Sequence, residues 1–159
     1  MSKTIVIFST KHGSVENAVK LLKEKLGGEV TVINIMNEDP PELNEYENVI
    51  LGGSIYVGKI QKQLSKYMEK HLSELLTKRI GLFICAAERE DIREKELIDS
   101  FPKKLFEHSI CKEIFGYEIH YEDMNFIEKK VVGSILGHKK NHSELSESKI
   151  DSFVKAMRA

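Results

Sequence analysis

Read from the amino end, the chain alternates short apolar runs with longer segments of helical period. Thr4 to Phe8 (Thr-Ile-Val-Ile-Phe) is almost continuously apolar and β-branched, the look of a strand covered on both faces. Val15, Ala18, Val19, Leu22 and Leu26 then recur at helical spacing, and Gly27-Gly28 stops that helix. Glu29 to Ile35 alternates as a second strand, and Asp39-Pro40-Pro41 marks a loop. Asn48 to Ser54 reads as a third strand running into a glycine-rich turn. From Lys59 to Leu76 the residues Ile60, Leu64, Tyr67, Met68, His71, Leu72 and Leu75 line one helix face, with His71 a packed or boundary side chain. Arg79 to Ala86 is a fourth strand, and Ile92 to Phe106 is helical in pattern but interrupted at Pro102. Cys111 to His120 reads as a fifth strand, and Ser146 to Met157 as a last helix with Ile150, Phe153, Val154 and Met157 on one side. Such alternation implies right-handed crossovers and a parallel sheet between helix layers, an α/β fold.

Composition narrows this picture. A length of 159 residues suits a single domain, 1–159, able to bury a core without metals or disulfides. Hydrophobic residues make up 41% and charged residues 31%, a globular balance. No apolar run approaches the ~20 residues of a membrane span, and the start lacks a signal-peptide pattern. Cys85 and Cys111 have neither metal-ligand nor redox spacing and read as buried reduced thiols. The expectation is a cytoplasmic domain with no metal. A net charge of −1 argues against nucleic acid as a partner.

In a sheet of this kind a ligand sits outside the carboxyl ends of the strands, so the loop after each strand is where chemistry is expected. After the first strand come Ser9-Thr10-Lys11-His12-Gly13-Ser14-Val15-Glu16, leading into a helix. Hydroxyls, a glycine and the amino end of a helix make an anion cradle suited to a phosphate monoester. An ordinary turn capped by Ser14 fits the same residues. Neither G-x-x-x-x-G-K-[ST] nor G-x-G-x-x-G is present, and Gly52-Gly53-Ser54-Ile55-Tyr56 lacks the second glycine of a nucleophile elbow. After the third strand, Ser54-Ile55-Tyr56-Val57-Gly58-Lys59 joins a flat aromatic to a glycine. Tyr56 either covers a planar ring or folds onto the core. After the fourth strand, Ala86-Ala87-Glu88-Arg89 offers small residues that let a ligand edge approach, then charge. No side chain stands out as a general acid or base.

These three loops resemble those of the flavodoxin superfamily. Ser9, Thr10, Gly13 and Glu16 match its phosphate loop, while His12 and Val15 stand where many members carry threonine. The resemblance implies a doubly wound five-stranded parallel sheet of order 2-1-3-4-5 that binds flavin mononucleotide (FMN). Residues 9–15 would hold the phosphate, while 54–59 and 86–89 would embrace the isoalloxazine. The Val57-Gly58 peptide would turn toward the flavin N5. Within the superfamily the chain is most similar to the flavodoxin-like, menaquinone-dependent protoporphyrinogen dehydrogenases. Phe8-Ser9-Thr10 with Gly13, and Ile50 to Ile55 with Gly58, carry that similarity.

A long segment, about 121–144, comes after the fifth strand and marks a functional insert. It has its own helical pattern, with Phe126, Ile127, Val131, Ile135 and Leu136 apolar and Glu128, Lys129 and Lys130 charged. The resemblance places such an insert near the flavin, in contact with substrate or membrane. Met124 to Leu136 would then rest on the inner face of an anionic bilayer. A helix packed over the sheet edge, with its lysines in water, is the alternative. The implied partners are a redox donor and acceptor, either a porphyrinogen and a quinone or redox proteins. A balance of 25 acidic against 24 basic residues favours an oxidoreductase over an acidic electron carrier. A flavin-free module that retains only the fold is the third reading.

Overall fold

The apolar runs meet in one sheet. The computed structural model describes residues 3–11, 15–87, 89–119, 125–130 and 142–159. Strands β1 (Thr4–Ser9), β2 (Val30–Asn34), β3 (Asn48–Ser54), β4 (Arg79–Cys85) and β5 (Cys111–Ile114) lie in the order β2-β1-β3-β4-β5. All neighbours run parallel: Val6 stands opposite Val32 on one side and Ile50 on the other, and Ile50 opposite Gly81. This is the doubly wound order that the flavodoxin resemblance implies. Helices α1 (Glu16–Leu26), α2 (Lys62–Lys70), α3 (Leu72–Leu75), α4 (Glu90–Asp99), α5 (Lys103–His108) and α6 (Glu147–Arg158) cover it.

The near-continuous apolar strands are explained by two cores, one on each face. Successive side chains of a strand point to opposite sides. Ile5 and Ile7 therefore pack with Leu64, Met68, Leu75, Leu97 and Leu105 from α2 to α5. Val6 and Phe8 pack with Ala18, Val19 and Leu22 of α1 and with Ile150, Phe153, Val154 and Met157 of α6. Each large apolar side chain buried this way contributes about 1.5–3 kcal/mol. Phe83, Phe115 and Phe153 form a buried aromatic triangle, Phe83 stacked on Phe115 at 4.8 Å and Phe153 edge-on to both. Lys25 of α1 joins Glu147 and Asp151 of α6 at 3.0 and 2.7 Å on the surface. Ser146 caps α6, its hydroxyl accepting from the Lys149 N–H.

Two elements depart from the sequence reading, and one break falls where it was expected. The apolar face expected from Lys59 to Leu76 breaks at His71, whose backbone leaves the helical region between α2 and α3. The His71 ring is half-buried, 4.4 Å from that of Tyr67, as a boundary side chain would be. As expected, Pro102 interrupts the helical stretch over Ile92 to Phe106, dividing it into α4 and α5, and it precedes the first residue of α5. The largest correction concerns the fifth strand. The parallel strand ends at Ile114, and β6 (Gly116–Ile119) leaves the sheet to pair antiparallel with β7 (His142–Leu145). Gly116 is the pivot, with φ of +94° and no room for a Cβ beside the Glu144 carbonyl oxygen. The insert expected at about 121–144, with its own helical pattern, is thus framed by a hairpin, and its described helical turn covers 126–130. Val131, Ile135, Leu136 and Met124 lie outside the described residues. Cys85 is buried, but Cys111 is only partly so. Among the described residues no helix is long and apolar enough to cross a membrane.

Candidate cofactor site at the carboxyl edge

β1, β3 and β4 end side by side at Ser9, Ser54 and Cys85. The chain leaves β1 toward β2 on one side and returns to β3 on the other, so the winding reverses between β1 and β3. That reversal opens a crevice above the strand ends, where the adjoining loops diverge.

Side chains fasten the first two loops together. The Ser9 hydroxyl donates to Gln61 Oε1 at 2.8 Å, and Gln61 Nε2 donates to the Ser54 hydroxyl oxygen at 3.2 Å. The Lys11 N–H also donates to that oxygen, at 3.0 Å. Ser9 and Ser54 are buried, so their hydroxyls hold the cradle in shape. Gln61, at the start of α2, was not among the residues the sequence singled out, because only the fold brings it to Ser9. Thr10 is different: its hydroxyl is buried, yet finds no hydrogen-bond partner among the described residues. A buried hydroxyl left unpaired costs about 1–3 kcal/mol, and an anion oxygen in the loop would remove that cost. The Val15 side chain is fully buried in the core beneath α1, so what it can offer a ligand is its backbone N–H. His12, Gly13, Ser14 and Glu88 lie outside the described residues.

After β3 the chain makes a tight turn. The Tyr56 N–H donates to the Lys59 carbonyl at 2.8 Å, and the Lys59 N–H to the Tyr56 carbonyl at 3.1 Å. Val57 and Gly58 both have positive φ, +50° and +76°, the pattern of a type I′ turn. For glycine this is easy, but a β-branched residue there is an outlier, at about 1–3 kcal/mol, of the kind that collects at functional sites. Val57 is 76% exposed, so no packing of its side chain enforces the conformation. The Ile55 N–H is bonded to the Cys85 carbonyl at 2.9 Å, which ties this loop to β4.

Tyr56 is half-buried at the centre of the arrangement. Lys11 Nζ lies 4.9 Å from the centroid of its ring, over one face. Its phenol titrates above its ordinary range, raised first by the neighbouring Glu128 carboxylate and then by burial. Behind the turn, buried Glu96 of α4 brings Oε2 to 4.0 Å from where a Cβ on Gly58 would stand. Neither acid was among the candidates read from the sequence. In the third loop Ala86 is buried with its N–H on the Gly116 carbonyl at 2.8 Å, and Ala87 is half-buried. Arg89 is exposed and faces Asp91 at 3.7 Å. Lys59 points to solvent. At the opposite edge of the sheet a cavity of about 450 Å³ contains Arg79, whose guanidinium is already engaged by Asn48 and the carbonyls of Met157 and Ala159.

A parallel sheet of order 2-1-3-4-5, with its winding reversing between β1 and β3, is the architecture of a flavodoxin-type domain. The chain belongs to that family: the model described as "Flavodoxin domain" matches residues 5–146. Over 76 residues the chain is 28% identical to the Protoporphyrinogen IX dehydrogenase (quinone) of Escherichia coli strain K12, covering 46% of this chain and 42% of that protein. Over 78 residues it is 32% identical to a flavodoxin of Trichodesmium erythraeum strain IMS101, covering 47% of this chain and 46% of the relative. These matches span less than half the length of the relatives. A variant flavodoxin of Fusobacterium nucleatum, solved bound to flavin mononucleotide, superposes with a TM-score of 0.53 at 17% identity, over 99% of this chain and 96% of the other. That likeness concerns the fold. Membership of the family implies a flavin cofactor.

Proposed function

We propose that the chain binds FMN at the β1/β3 edge and works as a flavin-dependent oxidoreductase. The buried Thr10 hydroxyl, lacking a partner among the described residues, is the observation on which this rests most. It suits a phosphate oxygen seated in the loop before α1, with the Val15 N–H and the α1 dipole adding to the attraction. Lys11 supplies positive charge next to that loop. Its ammonium lies over one face of Tyr56, the aromatic that would cover a planar ring. The Val57-Gly58 peptide turns toward the ring edge, and Ile55, Lys59, Ala86, Ala87 and Arg89 form the surrounding rim. The flavin, when bound, supplies the redox chemistry, while the protein binds, orients and shields it.

Protoporphyrinogen dehydrogenation with a quinone acceptor is the particular activity we favour. One observation supports it over a simple carrier: Phe126 and Ile127 are 82% and 72% exposed on the insert. An exposed apolar surface there suits an apolar donor. With Lys129 and Lys130 next in sequence, it also suits contact with the inner face of an anionic bilayer. The second reading is an electron carrier between redox proteins, consistent with the similarity to a flavodoxin.

Anaerobic titration of the purified protein with FMN, monitored by visible absorbance, is the first test. Stoichiometric binding with a perturbed flavin spectrum is expected. No binding at micromolar FMN would remove both readings. Loss of protoporphyrinogen that depends on both flavin and quinone separates the enzyme from the carrier; its absence leaves the flavin site intact and withdraws the specific activity.

A further inference from the structure

The outer face of α2 carries positive charge that nothing nearby compensates. Leu64 and Met68 are fully buried against the sheet and Tyr67 is half-buried, which turns the rest of the helix outward. Lys62, Lys66 and Lys70 follow one another one turn apart on that outer side, and all are exposed. Lys59, in the turn that borders the cofactor site, is exposed as well. None of the four is ion-paired among the described residues. Elsewhere on the surface Lys3, Lys25, Lys95 and Lys149 each meet a carboxylate. The placement runs against local preference twice. Lys62 is the first residue of α2, where the helix dipole disfavours a cation, and the first turn holds no acid. Lys62 with Lys66, and Lys66 with Lys70, are like-charged pairs that oppose helix formation. The whole chain has a net charge of −1, so the row of lysines is a local feature and not the result of a basic composition. A local rule broken without local gain points to a functional surface.

The row extends about 12 Å along the helix axis from Lys62 to Lys70. Before it in sequence stands Val57, 76% exposed in the same turn as Lys59. An apolar tip beside a charged rim has the composition of a protein interface. A bilayer suits this face less well, because α2 commits its apolar side to the core and has none to sink among lipids. We propose that this face, from the 56–59 turn along α2, is the docking surface for an acidic redox protein that exchanges single electrons with the cofactor. This inference rests on the reading that the site binds FMN, and it gives the electron-carrier reading the charge of its partner. Opposite charges on the two proteins steer their encounter and speed it at low salt.

The test uses the FMN-loaded full chain and a reduced plant-type ferredoxin, an acidic one-electron donor. In each transfer the ferredoxin iron loses one electron and the flavin gains it, and stopped-flow absorbance follows the flavin. Two variants carry the same change of charge in different places: Lys62→Glu/Lys66→Glu on α2, and Lys103→Glu/Lys104→Glu on α5, whose lysines are also exposed. The parent's second-order rate should fall about tenfold between ~0.01 and ~0.1 M salt. At low salt the α2 variant should be slower than the parent by about tenfold or more and the α5 variant by less than about threefold, both binding FMN as the parent does. Equal losses in the two variants, or a rate indifferent to salt, would overturn the proposal by reducing the lysines to bulk charge. An α2 variant that keeps the parent's rate but no longer sediments with phosphatidylserine vesicles would overturn it in favour of an anionic bilayer. Calorimetric titration of the flavin-free chain with oxidised ferredoxin reads docking without the cofactor. A Kd raised about tenfold in the α2 variant alone supports the surface, and an unchanged Kd refutes it. Failure of the parent to bind FMN would remove the underlying reading, while this titration still decides where the acidic protein docks.

Discussion

Replacing Val57 by asparagine should make the flavin-free protein more stable. Val57 occupies the first central position of the 56–59 turn at φ +50°, with Gly58 next at +76°. The left-handed conformation costs an ordinary L-residue roughly 1–2 kcal/mol, because Cβ crowds the following carbonyl. Asparagine tolerates it, and Asn-Gly is a preferred pair for a type I′ turn. The valine side chain returns little: at 76% exposure, about a quarter of its surface is buried, worth about 0.5 kcal/mol. The net expectation for Val57→Asn is a gain of about 0.5–1.5 kcal/mol, or a rise in Tm of roughly 2–4 °C per kcal/mol in a domain this size. Urea unfolding of the flavin-free protein would measure it as a higher midpoint at constant m. Val57→Gly should move the same way but less, since glycine also frees the unfolded chain. A Val57→Asn midpoint equal to or below the parent's would refute the argument that this turn is strained.

Three other outcomes are expected. Thr10→Val should stabilise the flavin-free chain by about 1 kcal/mol by removing a buried unpaired hydroxyl, yet raise the FMN Kd about tenfold; urea unfolding and FMN titration read the two, and unchanged affinity would exclude Thr10 from phosphate binding. Gly116→Ala should cost about 1–3 kcal/mol or more, because φ +94° and the Glu144 carbonyl leave no place for a Cβ; faster hydrogen exchange at 116–119 and 142–145 would locate the damage in the β6–β7 hairpin. Stability should fall in alkali. Burial pushes the Cys111 thiol and the Tyr67 and Tyr117 phenols up to about 12, from ordinary values of 9.0 and 10.0. Between those values and about 12 the folded chain keeps protons that the unfolded chain has lost. The stabilisation is therefore complete below pH 9 and declines from there toward pH 12, first through Cys111 and then through the tyrosines. Urea midpoints taken across that range should drop, and a flat profile would contradict the burial of these groups.

The sheet was legible in the chain because a strand buried on both faces must be apolar throughout, and Thr4–Ser9, Asn48–Ser54 and Arg79–Cys85 are nearly so. The helix faces of α1 and α6 were legible for a related reason, as their apolar positions fall at helical spacing against one core. Pro102 announced the break between α4 and α5 by chain chemistry alone. The loops after β1, β3 and β4 could be placed together from strand order, and the family match supports that order. What the tertiary structure decided depends on contacts between distant residues. Gln61 links Ser9 and Ser54 across 52 and 7 positions, a geometry with no local signature. The run read as one strand to His120 divides at Gly116, because β7 competes for β6 and the pivot must pass close to Glu144. Glu128, one charge among several in a periodic pattern, faces inward, where the Asn125 N–H donates to its carboxylate. Periodicity records which side of an element is buried only when the burying surface is apolar. Where the partner is a single polar atom, the position of that atom decides, and only the folded chain supplies it.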